Sequence, residues 1–205
     1  MYWGKHNYSD FPWREETNRF HALIAEVLLQ RTNAEQVVPV YHALKNRFPS
    51  PEILASVTID EIEEIIAPLG LKWRGKYLRA LSEKLTGLNG EIPSDVSHLK
   101  ELPGIGSYSA AAYLSFHGGK KASIIDANIV RFYGRFFGFD TGPETRREKQ
   151  LMDFANRVTP QRAFKKFNYA LIDFTRVVCK PRPLHKHCPV SDRCSFYISN
   201  SGSES

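Results

Sequence analysis

The sequence predicts an all-α protein of two helical lobes, closed by an irregular, cysteine-bearing loop at the C-terminal end. Three observations predict it. Apolar residues recur at helical spacing along almost the whole chain, without competing β-branched alternation. Capping residues, glycines and prolines punctuate those stretches where helices begin and end. All three cysteines, Cys179, Cys188 and Cys194, lie together near the C-terminus. At 205 residues the chain is long enough for one or two domains with a real core.

The elements follow in order. From Phe20 to Arg31 (FHALIAEVLLQR) the apolar residues repeat at helical spacing. Asn33 is placed to cap the next helix, which runs through Lys45 with Val37, Val40, Tyr41 and Leu44 on one face, and Pro49 and Pro51 break it. Thr58-Ile-Asp-Glu61 has the form of a capping box; it opens a helix from Ile59 to Ala67 that Gly70 stops. Arg74 to Leu88 is amphipathic, with basic residues at Arg74, Lys76, Arg79 and Lys84, and Gly90 and Pro93 end it. Asp95 to Glu101 forms a short helix, Ser107 to Phe116 a helix of small residues, and Gly118, Gly119 and two lysines a loop. Ala127 to Phe137 is helical and leads into a Gly/Pro/Asp turn from Gly138 to Pro143. Helices then run from about Glu144 to Val158 and from about Gln161 to Val178. Pro181, Pro183 and Pro189 make the tail after Cys179 an irregular loop, and the closing SNSGSES is expected to be disordered. The expected division is a six-helix lobe over 22–132 and a second lobe from 1–21 and 133–205.

A content of 42% hydrophobic and 24% charged residues is that of an ordinary globular chain. No apolar run approaches the roughly 18 residues of a membrane span, and MYWGKHNYSD lacks the apolar core of a signal peptide. A cytoplasmic monomer without membrane contact is expected. The net charge of +6 and a pI near 9.2 suit a polyanionic partner without singling one out. Three cysteines clustered at one end are no disulfide framework and point to a metal or cluster site.

The most informative stretch is LPGIGSYSAAAY, Leu102 to Tyr113. Leu99 and Leu102 end one helix, Pro103 blocks its continuation, and Gly104 is free to take a positive φ. Ile105 packs the turn down and Gly106 admits a close backbone approach. The helix that follows then presents its first N–H groups outward, an anion site to which Ser107 and Ser109 add hydroxyls. A phosphate held this way is bound without regard to base. A plain αα-hairpin is the simpler reading, but the turn resembles the helix–hairpin–helix of DNA repair glycosylases.

Asp126 follows two isoleucines in IIDANIVRFYGRFFG and starts a helix. Its simplest role is an N-cap. A carboxylate there is also kept ionised by the helix dipole. It can stabilise an oxocarbenium-like sugar and orient or deprotonate an attacking water, and capping is compatible with both.

Taken together, LPGIGSYSAAAY, IIDANIVR and the cysteine tail resemble the endonuclease III/MutY superfamily, the HhH-GPD glycosylases, from about Phe11 to Tyr197. FPWR at Phe11–Arg14, LIAEVLLQRTNAEQV at Leu23–Val37, DANIVR at Asp126–Arg131 and FNYALIDF at Phe167–Phe174 are most similar to the Mig-type thymine-DNA mismatch glycosylases. The resemblance implies double-stranded DNA with a mismatched or deaminated base as substrate, Asp126 as the catalytic carboxylate, and DNA across a cleft with Asp126 at its mouth.

Three further positions take meaning from it. In the endonuclease III branch a lysine two residues after the second hairpin glycine attacks the sugar; here that residue is Tyr108. Tyrosine cannot form an iminium, so a monofunctional enzyme is expected, although Lys120 and Lys121 lie in a nearby loop. Tyr108 is either a wall of the pocket for an extruded base or a half-buried aromatic at a helix start. Glu26, in LIAEVLLQ, is either solvent-facing or partly buried with a raised pKa; the resemblance favours the second, as an acid for the departing base. Gln30, Arg31, Thr32 and Asn33 fall where family members fill the gap left by a flipped base, and an arginine there can donate to a guanine edge. Ordinary helix-end polar residues would look the same.

The tail CKPRPLHKHCPVSDRC departs from the family. Relatives with a [4Fe-4S] cluster use C-x6-C-x2-C-x5-C. Cys188-x5-Cys194 matches the last pair, His185 stands at the second ligand position, and Cys179-x5-His185 is one residue short. Three readings stand: a cluster completed by His185 (or His187), a labile three-cysteine cluster, or a lost cluster with zinc or no metal. A cluster would pin a basic loop with Lys180, Arg182, Lys186 and Arg193 against DNA phosphates. The expected activity is base excision of thymine or uracil opposite guanine. The alternatives are a MutY-type adenine glycosylase, whose usual additional C-terminal domain this length leaves no room for, and a non-catalytic helix–hairpin–helix DNA-binding module.

Overall fold

Every regular element is helical in the computed structural model, which describes residues 2–142, 145 and 148–201. The helices are α1 (Tyr2–Asn7), α2 (Arg19–Leu28), α3 (Ala34–Arg47), α4 (Pro51–Ser56), α5 (Ile59–Ile66), α6 (Arg74–Gly87), α7 (Val96–Leu99), α8 (Ser107–Phe116), α9 (Ala127–Phe137), α10 (Lys149–Val158), α11 (Phe164–Val177) and α12 (Ser195–Ser201). They fall into two units, Asp10–Lys120 and Met1–Ser9 with Lys121–Ser205.

In the first unit α2 is the axis. The Asn18 side chain caps it, accepting from the N–H groups of Phe20 (2.9 Å) and His21 (3.3 Å). Phe20 through Leu28 are all buried. A helix buried on every side needs neighbours on every side, and α3, α6 and α8 supply them. Helix α8 serves here because Ser109, Ala110, Ala112 and Ser115 are small, so its backbone lies close to its neighbours. Helices α4 and α5 pack on α6, and α5 starts with the expected capping box between Thr58 and Glu61.

The segment leading into α2 is fastened by Glu16. Tyr41 Oη donates to it (2.6 Å), Lys45 pairs with the same oxygen, and the Asn18 N–H donates to the other (2.9 Å). Burial pushes this carboxyl up, but those partners outweigh it and hold its pKa at about 2.

In the second unit α1 lies along α11, and α11 and α12 pack on α9. Trp3 meets Phe174 edge-on at 5.3 Å, and a Cβ on Gly4 would stand 2.6 Å from that of Ala170, so only glycine fits the crossing. The buried carboxylate of Asp173 accepts from Ser9 N (3.1 Å) and Ser9 Oγ (2.9 Å).

Four elements differ from the sequence expectation. Helix α1 was not expected; at six residues it depends on tertiary contact rather than propensity. Pro51, read as a breaker, is the first residue of α4, where its missing N–H costs nothing. The tail is not irregular throughout: it holds short 3-10 turns at His185–His187 and Ser191–Arg193 and then α12. Of the closing SNSGSES, Ser199–Ser201 belong to α12 and 202–205 lie outside the described residues, as does Glu144, the expected start of α10.

Glu16→Gln is expected to cost about 2 kcal/mol at pH 7. Because the folded pKa is depressed, this contribution is full above the ordinary value of 4.5 and fades as pH falls toward 2. Urea denaturation of both proteins at pH 7 and at pH 3 measures it; a pH-independent difference would contradict the ion-pair account.

Candidate functional site

The hairpin between α7 and α8 closes on buried apolar residues and leaves the start of α8 open. Asp95 caps α7, its Oδ1 accepting from His98 N at 3.0 Å. Leu99, Leu102 and Ile105 are buried, and the turn closes with Ile105 N donating to Leu102 O at 3.1 Å. Gly104 takes φ +78° with its backbone against Tyr77, whose Cβ would lie 3.2 Å from an added Cβ. Gly106 is the N-cap of α8 and no side chain caps that helix. Gly106 and Ser107 are exposed, so the positive end of α8 is open to an anion. Ser109 is buried, and its Oγ accepts from Gln30. Tyr108, on the first turn, is half-buried, and Lys120 donates to Ser94 Oγ at 3.1 Å.

The loop after α2 is tied to this hairpin. The Gln30 amide donates to Gly104 O (2.7 Å) and to Ser109 Oγ (3.1 Å). Arg31 is exposed and takes a positive φ of 56°, unusual for any residue but glycine. Thr32 Oγ1 donates to Gln30 O (3.2 Å), and the exposed Asn33 caps α3 through Glu35 N (3.0 Å). Of these four polar residues, Arg31 extends from the loop and Gln30 is turned to the hairpin.

Glu26 sits on the buried axis itself. It is 5% exposed, and no hydrogen bond or ion pair to its carboxyl is formed among the described residues. Burial alone raises its pKa from 4.5 to about 8, so it is protonated at neutral pH. A neutral carboxylic acid held this way is a proton or hydrogen-bond donor.

Asp126, in the other unit, is the N-cap of α9 and is half-exposed. Its Oδ1 accepts from Ile129 N (2.7 Å) and its Oδ2 from Asn128 Nδ2 (3.1 Å). Asn128 Oδ1 in turn accepts from Arg131 (2.9 Å). The carboxylate is thus fixed in orientation while part of it stays open to solvent.

The cysteine tail closes around one cavity. Cys179, Cys188, Cys194 and His185 line a space of about 30 Å³, together with Arg135, Phe196 and Tyr197. All three cysteines are free thiols. Among the described residues no three His, Cys, Asp or Glu side chains are placed to hold a metal ion; the thiols have the donor chemistry that iron–sulfur groups take. Arg131 donates to the carbonyls of Thr175 (3.2 Å) and Cys179 (2.8 Å); Arg135 donates to those of Lys180 (2.6 Å) and Pro181 (2.7 Å). His185 packs against Tyr197 with ring centres 5.0 Å apart.

Two features escaped the sequence reading. Arg74, grouped there with a basic face, is 1% exposed, whereas Lys76 on the same helix is exposed. Trp73 is 44% exposed and braced edge-on by Tyr77, the residue behind Gly104. Helical periodicity carries no signal for either, because a cation at a buried phase and an indole at an exposed one both run against it.

Comparison with known proteins places this geometry. Residues 24–157 match the family described as HhH-GPD superfamily base excision DNA repair protein. A thymine/uracil-DNA glycosylase of Pyrobaculum aerophilum is 39% identical over 197 residues, covering 92% of this chain and 85% of that one. The solved structure of a thermostable thymine-DNA glycosylase superposes with a TM-score of 0.91 at 31% identity, over 97% of this chain and 93% of the other. An endonuclease III trapped as a covalent intermediate with DNA gives 0.81 at 26% identity, over 91% and 87%. The chain belongs to the HhH-GPD superfamily of base excision DNA repair proteins and is a DNA glycosylase.

Proposed function

We propose that this glycosylase excises thymine or uracil opposite guanine from double-stranded DNA by hydrolysing the N-glycosidic bond, leaving an abasic site. Two carboxyls in opposite surroundings, one in each unit, support the mechanism: Glu26 buried, without a partner among the described residues and protonated at neutral pH, Asp126 half-exposed and oriented by two N–H donors. The choice of base follows the names of the relatives.

Each group has its own duty. The exposed backbone at Gly106 and Ser107, on the turn that Gly104 makes, holds a phosphate and so sets the register of the duplex. Arg31 extends into the space of the extruded base, and Thr32 and Asn33 shape its loop. Trp73 offers a flat apolar face to a base. As the C1′–N1 bond breaks, its electron pair goes to the pyrimidine, and Glu26 donates to a base carbonyl oxygen. Asp126 stabilises the cationic sugar; the oxygen of water bonds to C1′ and its proton passes to Asp126. Tyr108 supplies no amine for a Schiff base, so strand cleavage is not part of the reaction. Gln30 and Ser109 serve DNA binding through the loop they hold together rather than by touching the duplex.

Cys179, His185, Cys188 and Cys194 would hold a [4Fe-4S] cluster, with His185 in place of the usual thiolate; when bound, the cluster supplies structural cross-linking. The protein works as a monomer, in the compartment that holds the DNA. Among the described residues no helix is long and apolar enough to cross a membrane.

Single-turnover excision on T:G, U:G, A:G and A:8-oxoguanine duplexes, with and without alkali, tests the reading. Product from T:G or U:G that appears only after alkali is expected. Product from the adenine duplexes would move the chain to the adenine-specific branch, and no product would leave a DNA-binding module. Asp126→Asn is expected to lower excision by at least about 10³-fold with duplex Kd unchanged; surviving excision would overturn the assignment of that carboxylate.

The pH profile tests Glu26. Its pKa is raised, so the folded protein keeps the carboxyl protonated at neutral pH and loses the proton as pH rises through about 8, whereas the unfolded chain loses it near 4.5. Excision should fall above that pH, and Glu26→Gln should remove this alkaline limb. The same substitution should raise stability relative to the parent between pH 4.5 and 8, as thermal denaturation across that range would show. An identical pH dependence in both proteins would contradict a buried, neutral Glu26.

A further inference from the structure

Arg74 is a buried cation without a carboxylate partner in the structure described. Its guanidinium donates to Leu28 O at 2.6 Å and to Gln30 O. Leu28 is the last residue of α2, where carbonyls lack intrahelical partners and the helix dipole is negative. Gln30 O belongs to the peptide immediately before Arg31, the residue with φ +56°. A left-handed non-glycine residue persists only where its surroundings over-determine it, and Arg74 fixes the carbonyl on its N-terminal side. The Gln30 amide continues the chain of contacts to Gly104 O and Ser109 Oγ in the phosphate hairpin.

Stability alone does not account for such a residue. Burying a guanidinium is costly, and apolar replacements of buried charges are often neutral or stabilising. Arg74 Nε lies buried with no hydrogen-bond partner. The guanidinium is pushed down first by desolvation and then by the neighbouring positive charge of Arg31, so two cations are held together where a polyanion would relieve them.

We propose that Arg74 is a positioning residue which, through Gln30, locks the loop bearing Arg31 to the phosphate-binding hairpin, so that gripping the backbone and filling the gap of an extruded base occur on one rigid body. The inference rests on the glycosylase reading for its consequence in DNA and on geometry alone for the coupling. Lysine cannot replace arginine here, because a single ammonium does not span two carbonyls as a planar fork does.

Amide hydrogen exchange on the full chain, for the parent, Arg74→Lys and Gln30→Ala, tests the coupling directly. Arg74→Lys should speed exchange by about ten-fold or more both at 29–33 and at 104–109 while α5 keeps its protection. Gln30→Ala, a half-exposed site that leaves the core intact, should loosen the same two segments with Arg74 still present. In single-turnover excision of T:G at saturating enzyme, Arg74→Lys should be slower by about 10²-fold, with undamaged-duplex Kd within about three-fold, and the double variant should be no slower than Arg74→Lys, as expected of residues acting in series. Exchange that rises only at 29–33, or uniformly across the unit, or excision losses that multiply in the double variant, would overturn the proposal. If the parent excises no T:G or U:G, the thymine/uracil reading fails while the exchange experiment still decides the coupling.

Discussion

The structure of the Asp10–Lys120 unit depends on burying α2 on all sides with an ionisable carboxyl inside it. Phe20 through Leu28 leave water together, and Glu26 goes with them. Apolar burial on that scale, at about 25 cal/mol per Å², outweighs keeping one carboxyl neutral, and neutrality is the state an acid catalyst needs. The packing that makes the core and the chemistry that protonates Glu26 therefore have one cause. Helices α3, α6 and α8 surround α2 because the axis needs partners, and this brings the hairpin before α8 beside the end of α2.

Helix ends are resolved by one device in both units. The carbonyls of Leu28 and Gln30 are met by Arg74; those of Thr175 and Cys179 by Arg131; those of Lys180 and Pro181 by Arg135. A guanidinium suits this because its fork reaches two acceptors with fixed geometry. In the second unit the device anchors the start of the cysteine tail to α9, whose N-cap is Asp126. The same helix thus fixes the candidate catalytic carboxylate at one end and the tail along its length.

Much of this was legible in the sequence. The helices that read correctly carry local signals: Thr58 and Glu61 for α5, Asn33 for α3, Asp126 for α9, and the Gly-rich turn before α8. Glu26 was legible as a charged residue among aliphatics, but only the packing decides that its carboxyl has no partner among the described residues. Helix α1 was hidden because its stability comes from Gly4 meeting Ala170 and Trp3 meeting Phe174 on α11, contacts far apart in sequence that no local pattern carries. Pro51 has the same letter whether it ends a helix or begins one. Gln30 reads as a residue free to enter DNA until its amide is seen on Gly104, and Arg74 reads as one more surface cation. In the tail, spacing makes His185 a candidate ligand, and it lines the same cavity as the three cysteines.

The central claim is that α2 carries a carboxylic acid kept neutral by burial alone. Its most direct measurement is a ¹³C NMR titration of the glutamate side-chain carboxyls, with Glu26→Gln to assign the resonance. The account predicts a Glu26 transition near pH 8. A transition near the ordinary 4.5 would mean that the carboxyl is solvated or paired in solution, and the acid role assigned to it would fall.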